Sequence, residues 1–118
     1  MKVNILGTEY EIIVKAYDEE KSFKEREIDG WCDFYSKKIF ICDLNTNENW
    51  NDETQETRDI CQKQALRHEI VHAFLAESGL TSNAFIPKRS WALNEEMVDW
   101  IALQLPKIHK ACEEAGCL

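Results

Sequence analysis

The amino-acid sequence predicts an α+β domain in which strands come first and helices follow. The N-terminal third contains short apolar and aromatic runs separated by turns, which is typical of hairpins. From Glu53 to about Ser78 no Gly or Pro interrupts the chain, and apolar residues recur at helical spacing. Strands followed by helices indicate the α+β class. The chain has the length of one domain, so we assign residues 1–118 to a single domain.

Two hairpins account for the predicted strands. The four apolar runs are bounded by turns that contain Gly or short polar stretches, as hairpins require. The runs are KVNIL, YEIIVK, GWCDFY and IFICD, at 2–6, 10–15, 30–35 and 39–43.

The turn of the second hairpin decides where its two cysteines lie. If the turn is Ser36–Lys38, Tyr35 pairs with Ile39 and Cys32 lies opposite Cys42. A bridge between them is conceivable. However, the chain has five cysteines, no CxxC pair and no export signal, so we expect reduced thiols.

A long first helix is predicted after a polar loop. Asp52, followed by Gln55 three residues later, resembles a capping box, and Gly79 supplies a C-terminal stop. The inward stripe of this helix is expected to contain Ile60, Leu66, Ile70, Ala73 and Phe74.

A second helix is predicted after a loop at about Thr81–Arg89. Ser90 is its expected N-cap and Pro106 its expected end, and a separate short helix then ends at Gly116. Eight aromatic residues are interpreted as core residues: Trp31, Trp50, Trp91, Trp100, Phe34, Phe40, Phe74 and Phe85.

Composition excludes several classes of partner. The formal net charge is −8 and no Lys/Arg cluster is present, so we expect no nucleic-acid partner. Gly7-Thr8 interrupts the N-terminus where a signal peptide needs an apolar run. The longest charge-free apolar stretches fall far short of the roughly 20 residues of a membrane span. We therefore expect a cytoplasmic protein without a membrane partner.

The stretch His68-Glu69-Ile70-Val71-His72 is an HExxH motif within the first predicted helix. Residues i and i+4 share a helical face, so both imidazoles can bind one metal ion. Glu69 is offset from both and suits a general base that takes a proton from water. The alternative is a helix that carries two histidines for ordinary hydrogen bonds. The H-x-E and P-C-x-x-C pattern of nucleobase deaminases is absent.

The second predicted helix offers a third metal ligand in the stretch NEEMVDW. Glu95 and Asp99 are four residues apart and share one face, so Glu95 could bind the metal. Asp99 would then accept the free ring N–H of His68 or His72. Glu96 is rotated by about 100° and is the weaker candidate. A solvated acidic face is the alternative interpretation.

HExxH followed by N-E-x-x-x-D on another helix resembles the gluzincin metallopeptidases. The run EEMVDWIALQLP is similar to the E-x-x-x-N/D-x-F-A-x-x-L…P signature of the small ImmA/IrrE-like metallopeptidases of phages and mobile elements. Five positions agree with that signature, and Ile101 stands where the family usually has Phe. The matching residues are Glu95, Asp99, Ala102, Leu105 and Pro106.

The resemblance implies a minimal zincin-like domain that binds Zn²⁺ through His68, His72 and Glu95. By analogy, a small sheet lies beside the active-site helix, and its edge strand, KIFIC, binds the peptide or protein substrate in extended form. Larger gluzincins use an extra His or Tyr on a further domain to stabilise the oxyanion. His109 lies roughly 20 Å beyond Glu95 along a straight helix, and a surface role is favoured. Tyr17, Tyr35 and Arg89 are the other candidates. Cys61 is too far from His68 to share its metal.

The function expected from the sequence is hydrolysis of peptide bonds by a zinc-dependent metallopeptidase. The resemblance implies a regulatory protein, such as a repressor, as the substrate. Glu69 would be the catalytic base. The alternative is a catalytically silent metal-binding module that binds or sequesters a regulator. The sequence leaves the substrate and the oligomeric state open.

Overall fold

A computed structural model describes residues 1–81 and 90–118, and it confirms the α+β class. One mixed sheet has the strand order β1-β2-β4-β3, and the described residues also form three α-helices. The strands are β1 (Lys2–Ile5), β2 (Thr8–Ala16), β3 (Gly30–Asp33) and β4 (Lys38–Asp43). The helices are α1 (Lys21–Glu25), α2 (Gln55–Glu77) and α3 (Glu95–Glu114).

Strand β4 lies inside the sheet, so the prediction that KIFIC is an edge strand is wrong. It pairs in parallel with β2 and antiparallel with β3. Ile39 and Ile41 face the core under α2, whereas Phe40 and Cys42 pack on the opposite side with Phe23. A strand covered on both faces needs consecutive apolar residues, which explains the unbroken run IFIC. The described sheet therefore has β1 and β3 as its edges.

The first hairpin is confirmed, but the second has a different register from the predicted one. Cys32 pairs with Ile39, not Cys42, because the turn is longer than Ser36–Lys38. The carboxylate of Asp33 accepts hydrogen bonds from the backbone N–H groups of Tyr35 and Ser36 (3.0 and 3.2 Å) and ends the strand early. Cys32 and Cys42 consequently lie on opposite faces of the sheet, and both are free thiols.

Helix α2 crosses one face of the sheet and completes the main core. Ala73 is buried there among sheet residues, with Leu66 and Ile70 beside it. The predicted stripe is wrong at its two ends, since Ile60 is 56% exposed and Phe74 is 40% exposed.

The N-cap of α2 is Thr54, not the predicted Asp52. Its hydroxyl oxygen accepts the N–H of Thr57 at 3.1 Å. Gln55 does not complete a capping box, because its side chain donates to Asp59 instead.

Glu77 ties the C-terminal end of α2 to the sheet. Its carboxylate accepts hydrogen bonds from Tyr10 Oη (2.7 Å), Thr8 Oγ1 (3.0 Å) and Lys37 Nζ (2.6 Å). These donors, with the Lys37 hydrogen bond foremost, lower the pKa of Glu77 to about 2. The contacts hold α2 at a defined position along β2 and the β3–β4 turn.

Helix α3 starts later and continues further than predicted. Ser90 precedes a 3₁₀ turn at Trp91–Leu93, and the N-cap is Asn94, whose side chain accepts the N–H of Met97 at 3.0 Å. The helix passes through Pro106 without ending there. A proline at this position removes the amide that would donate to the Ala102 carbonyl. Arg67 Nε on α2 donates to that carbonyl instead, at 3.1 Å.

Several aromatic residues are more exposed than the sequence predicts. Trp31 stacks on Phe40 with ring centroids 4.7 Å apart, and Trp50 packs against the same cluster. Trp91 and Trp100 are each 59% exposed, so their assignment to the core is wrong. Phe85 lies outside the described residues. Among the described helices, none is long and apolar enough to span a bilayer.

The hydrogen bond from Arg67 should compensate for the amide donor that Pro106 lacks. A double-mutant cycle on the free energy of unfolding measures this compensation. We expect Arg67→Met to cost about 1–2 kcal/mol of unfolding free energy, because it leaves the Ala102 carbonyl without a donor. In a Pro106→Ala background the amide at position 106 is restored, and the same substitution should cost clearly less. Urea denaturation of the four proteins gives the coupling. Equal costs in both backgrounds would show that the hydrogen bond from Arg67 contributes nothing to stability.

Candidate metal centre

Helix α2 presents both histidines of the HExxH motif on the face that meets α3. The Nδ1 atom of each ring lies within hydrogen-bond distance of an acceptor. His68 Nδ1 lies 2.7 Å from Asp99 Oδ1, and His72 Nδ1 lies 2.6 Å from the Ala92 carbonyl oxygen. A carboxylate and a carbonyl can only accept, so each Nδ1 carries the ring proton. In neutral imidazoles both Nε2 atoms are then unprotonated.

The segment that supplies Ala92 and Glu95 is attached directly to the end of α2. The N–H of Ala92 donates to the Leu80 carbonyl (2.9 Å), and Ser90 Oγ donates to the Thr81 carbonyl (2.9 Å). Asn94 then starts α3, which puts Glu95 in the first helical turn. A carboxylate there is favoured by the helix dipole. This attachment brings Glu95 next to the two histidines.

Three ligand side chains converge between α2 and α3. His68 Nε2 and His72 Nε2 are 2.9 Å apart, and the two oxygens of Glu95 lie 3.0 and 3.1 Å from them. With both Nδ1 protonated, these are three lone-pair donors that face one another without a hydrogen between them. Such a cluster could hold a cation at its centre, either a proton or a metal ion.

The donor set suits a transition metal. Two imidazoles and one carboxylate with an open fourth position are a common catalytic zinc set. Tetrahedral bonds of about 2.0–2.1 Å place ligand atoms roughly 3.3 Å apart, near the observed separations. All three atoms lie within 4.8 Å of one another. Within the described residues, neither Glu96 nor Cys61 joins this group.

Glu69 lies beside this cluster, and its side chain is buried. The residue is 6% exposed, and Glu69 Oε1 is 4.0 Å from His68 Nε2. Burial, reinforced by the Glu95 charge, raises the pKa of Glu69 to about 8, and the charge of Arg26 opposes the shift. No described side chain donates a hydrogen bond to its carboxylate. Glu69 is therefore placed to exchange a proton with a molecule in the cleft.

An open cleft of about 720 Å³ runs between β3 and the two long helices, and His68, His72 and Glu95 form part of one wall. The opposite wall is the edge strand β3 with the chain that leads into it, including Trp31 and Cys32. Burial raises the pKa of the Cys32 thiol to about 12, which disfavours the thiolate form.

Gly30 sets the distance between the two walls. A Cβ at this position would lie 2.9 Å from Ile41 Cδ1, 3.0 Å from the Phe40 carbonyl oxygen and 3.2 Å from Glu69 Cγ. Only a residue without a side chain lets β3 approach Glu69 this closely.

Of the candidate oxyanion residues named from the sequence, the three that the structure describes do not line the cleft. Tyr17 packs against the apolar cluster of Phe23, Cys42 and Leu44, and Tyr35 is 98% exposed in the β3–β4 turn. His109 is on the outer part of α3, with Nδ1 3.7 Å from Glu113. Arg89 lies outside the described residues.

Three positions of the candidate site were missed by sequence reasoning. They are the Ala92 carbonyl, Gly30 and Arg26. A backbone carbonyl leaves no mark in a side-chain pattern, and Arg26 belongs to a charged segment without periodicity. Gly30 alone carried a signal, since a glycine within a strand often marks a close approach of other groups.

Comparisons of the chain with models of known protein families, with characterised proteins and with solved structures found no match. The geometry of the site therefore carries the functional argument.

Gly30→Ala should destabilise the protein by about 1–3 kcal/mol, because the added methyl group crowds Ile41 and Glu69. Ile41→Val removes the Cδ1 atom that this methyl group meets first. We expect Ile41→Val to cost about 1 kcal/mol in the native background and less beside Gly30→Ala. Chemical denaturation of the single and double variants measures both. An equal cost in the two backgrounds would mean that the two side chains do not compete for space.

Proposed function

We propose that this protein is a zinc-dependent metallopeptidase of the gluzincin kind, built on a minimal zincin-like fold. The observation that carries the proposal is the convergence of His68 Nε2, His72 Nε2 and the Glu95 carboxylate beside the buried Glu69, within one cleft. The motif resemblance supports the same class. A transcriptional repressor or a similar regulator is a substrate consistent with that resemblance.

His68, His72 and Glu95 would hold the metal. Zn²⁺ bound there would supply Lewis-acid polarisation of a carbonyl and a water of lowered pKa. Asp99 and the Ala92 carbonyl keep the two imidazoles in the tautomer that directs each Nε2 inward. Their hydrogen bonds also keep the rings from rotating, so the ligand atoms are positioned before the metal arrives.

Glu69 would act as the general base and then as the general acid. Beside a divalent cation it would be ionised, since nearby positive charge favours the carboxylate. It accepts a proton from water as the oxygen attacks the scissile carbonyl carbon. It later gives that proton to the leaving amine nitrogen as the C–N bond breaks. The same group therefore serves both halves of the hydrolysis.

Strand β3 offers a place for an extended peptide. Cys42 N–H donates to the Asp29 carbonyl at 2.8 Å, and paired and unpaired positions alternate along an antiparallel ladder. The backbone groups of Gly30 and Cys32 therefore face the open edge, in the wall of the cleft. A substrate strand that pairs with this edge would pass in front of Glu69. The proposed substrate-binding edge is therefore β3 and not KIFIC, which lies inside the sheet.

A silent metal-binding module is the second candidate. It is favoured by the position of Tyr17, Tyr35 and His109, because none of these lines the cleft to stabilise an oxyanion. Five free cysteines accord with a reducing compartment, and we propose the cytoplasm for either candidate.

Metal binding should depend on Glu95 and not on its neighbour. We expect the purified protein to bind one zinc per chain with a rise in thermal stability, and Glu95→Ala to lose both effects. Glu96→Ala is the matched control, because Glu96 is an exposed carboxylate on the same turn. Metal analysis and thermal melts with added zinc measure the result. Zinc binding by the Glu95→Ala protein equal to that of the native chain would exclude Glu95 as a ligand.

Glu69→Gln should separate an enzyme from a silent module. We expect this variant to keep its zinc and lose at least about 100-fold in peptide hydrolysis, because the amide cannot accept the proton. Cleavage of proteins in a cell extract, followed by mass spectrometry of new termini, measures activity. Hydrolysis at the native rate in the variant would rule out the base role. A native protein that binds zinc but generates no new termini would favour the module.

A further inference from the structure

The charged groups in the described lining of the cleft are four carboxylates, the two histidines and one guanidinium. Glu95 meets both histidines, Asp99 accepts from His68, and Glu69 is the buried base. Burial raises the pKa of Asp29, and the nearby Trp50 side chain opposes the shift. Arg26 is the one cation among the described lining residues, and its guanidinium has no hydrogen-bond or ion-pair partner within residues 1–81 and 90–118.

The backbone, and not the guanidinium, determines where Arg26 lies. Its N–H donates to the Ser22 carbonyl (3.0 Å), and the N–H of Ile28 donates to the Phe23 carbonyl (3.2 Å), with Glu27 at φ +52° between them. This is a Schellman-type end of α1, which Phe23 and Ile28 reinforce by apolar contact. The side chain of Arg26 thus has no role in ending the helix and remains free for a ligand.

The position of Arg26 also fits the proposed path of a peptide. The chain runs from Arg26 through Ile28, Asp29 and Gly30 along the same wall of the cleft and there becomes β3. Gly30 adjoins Glu69, so Arg26 lies a few residues from the reacting bond, beyond the N-terminal end of the strand. A substrate that extends past Gly30 would bring a side chain or a chain terminus to Arg26.

We propose that Arg26 binds a carboxylate of the peptide substrate, so that the enzyme selects substrates with an acidic group a few residues from the cleaved bond. This rests on the proposed peptidase function and adds a substrate class to it. A guanidinium binds a carboxylate through two parallel hydrogen bonds, which gives geometric as well as electrostatic selectivity. Since Arg26 is the one Lys or Arg side chain of the described lining, an anionic substrate group has this one cationic counterpart there.

Arg26 acts on the bound substrate and not on the transition state. Oxyanion-stabilising donors work in sites from which water is excluded, whereas Arg26 is solvent-exposed at the rim of the cleft. Its contribution should therefore appear in KM and in the affinity for inhibitors, with kcat for a given substrate little changed.

Alanine tripeptides with a hydroxamate at one end, which anchors on zinc, test the proposal. One set carries the hydroxamate at the C-terminus and a Glu or Gln moved through the three positions. A second set carries it at the N-terminus, with the same scan and with either a free or an amidated C-terminus. Calorimetry with the zinc-loaded native protein should show one position at which an acidic probe binds roughly tenfold more tightly than its neutral counterpart. The scans separate a side-chain carboxylate from a terminal one.

Arg26→Gln should reduce that ratio to about one, and Arg26→Lys should retain part of it. Lys24→Gln is the matched control, because Lys24 is an exposed cation on the same helix that does not line the cleft, and its ratio should equal that of the native protein. Equal binding of acidic and neutral probes by the zinc-loaded native protein would overturn the proposal, as would a preference that survives in Arg26→Gln. A fall in kcat on neutral peptides without a change in the ratio would assign Arg26 to the oxyanion instead. A native chain that binds no zinc would sink the proposed function itself, and metal analysis shows this before any probe is added.

Discussion

The hydrogen bonds at the outer nitrogens of His68 and His72 are the constraint on which the rest of the site depends. Each imidazole donates from Nδ1 to an acceptor that cannot donate back, so each is left with an unprotonated Nε2 directed at the other. Glu95 adds a negative charge to that convergence. Everything that positions Asp99 and the Ala92 carbonyl therefore contributes to the affinity of the cluster for a cation.

Those acceptors are positioned by helix packing that lies outside the site. Arg67, next to His68 in sequence, donates a hydrogen bond to the Ala102 carbonyl, which Pro106 leaves without its helical donor. This bond connects α2 to α3. Val71 and Val98 pack between the same two helices. The proline and the arginine together let α3 stay helical while it presents Asp99 to His68. The packing of α2 against α3 therefore also positions the candidate metal ligands.

Sequence reasoning succeeded where a pattern is local and failed where partners are distant. HExxH and the spacing of Glu95 and Asp99 predict groups on shared helical faces, because a helix repeats every 3.6 residues whatever surrounds it. The register of the second hairpin was predicted wrongly because Asp33 ends the strand only when its carboxylate accepts hydrogen bonds from the N–H groups of Tyr35 and Ser36. The N-caps Thr54 and Asn94 were not predicted for a similar reason, since several nearby polar residues could have capped the same helices.

By itself, the sequence determined the α+β class, the two histidines on one face of α2 and the pairing of Glu95 with Asp99 on α3. These follow from backbone periodicity, which needs only neighbours in the chain. The tertiary structure alone decided that the Ala92 carbonyl orients His72, that Gly30 adjoins Glu69, and that β3 is the open edge of the sheet. Each of these depends on the contact of segments far apart in sequence, and such contacts are selected by the packing of the whole core.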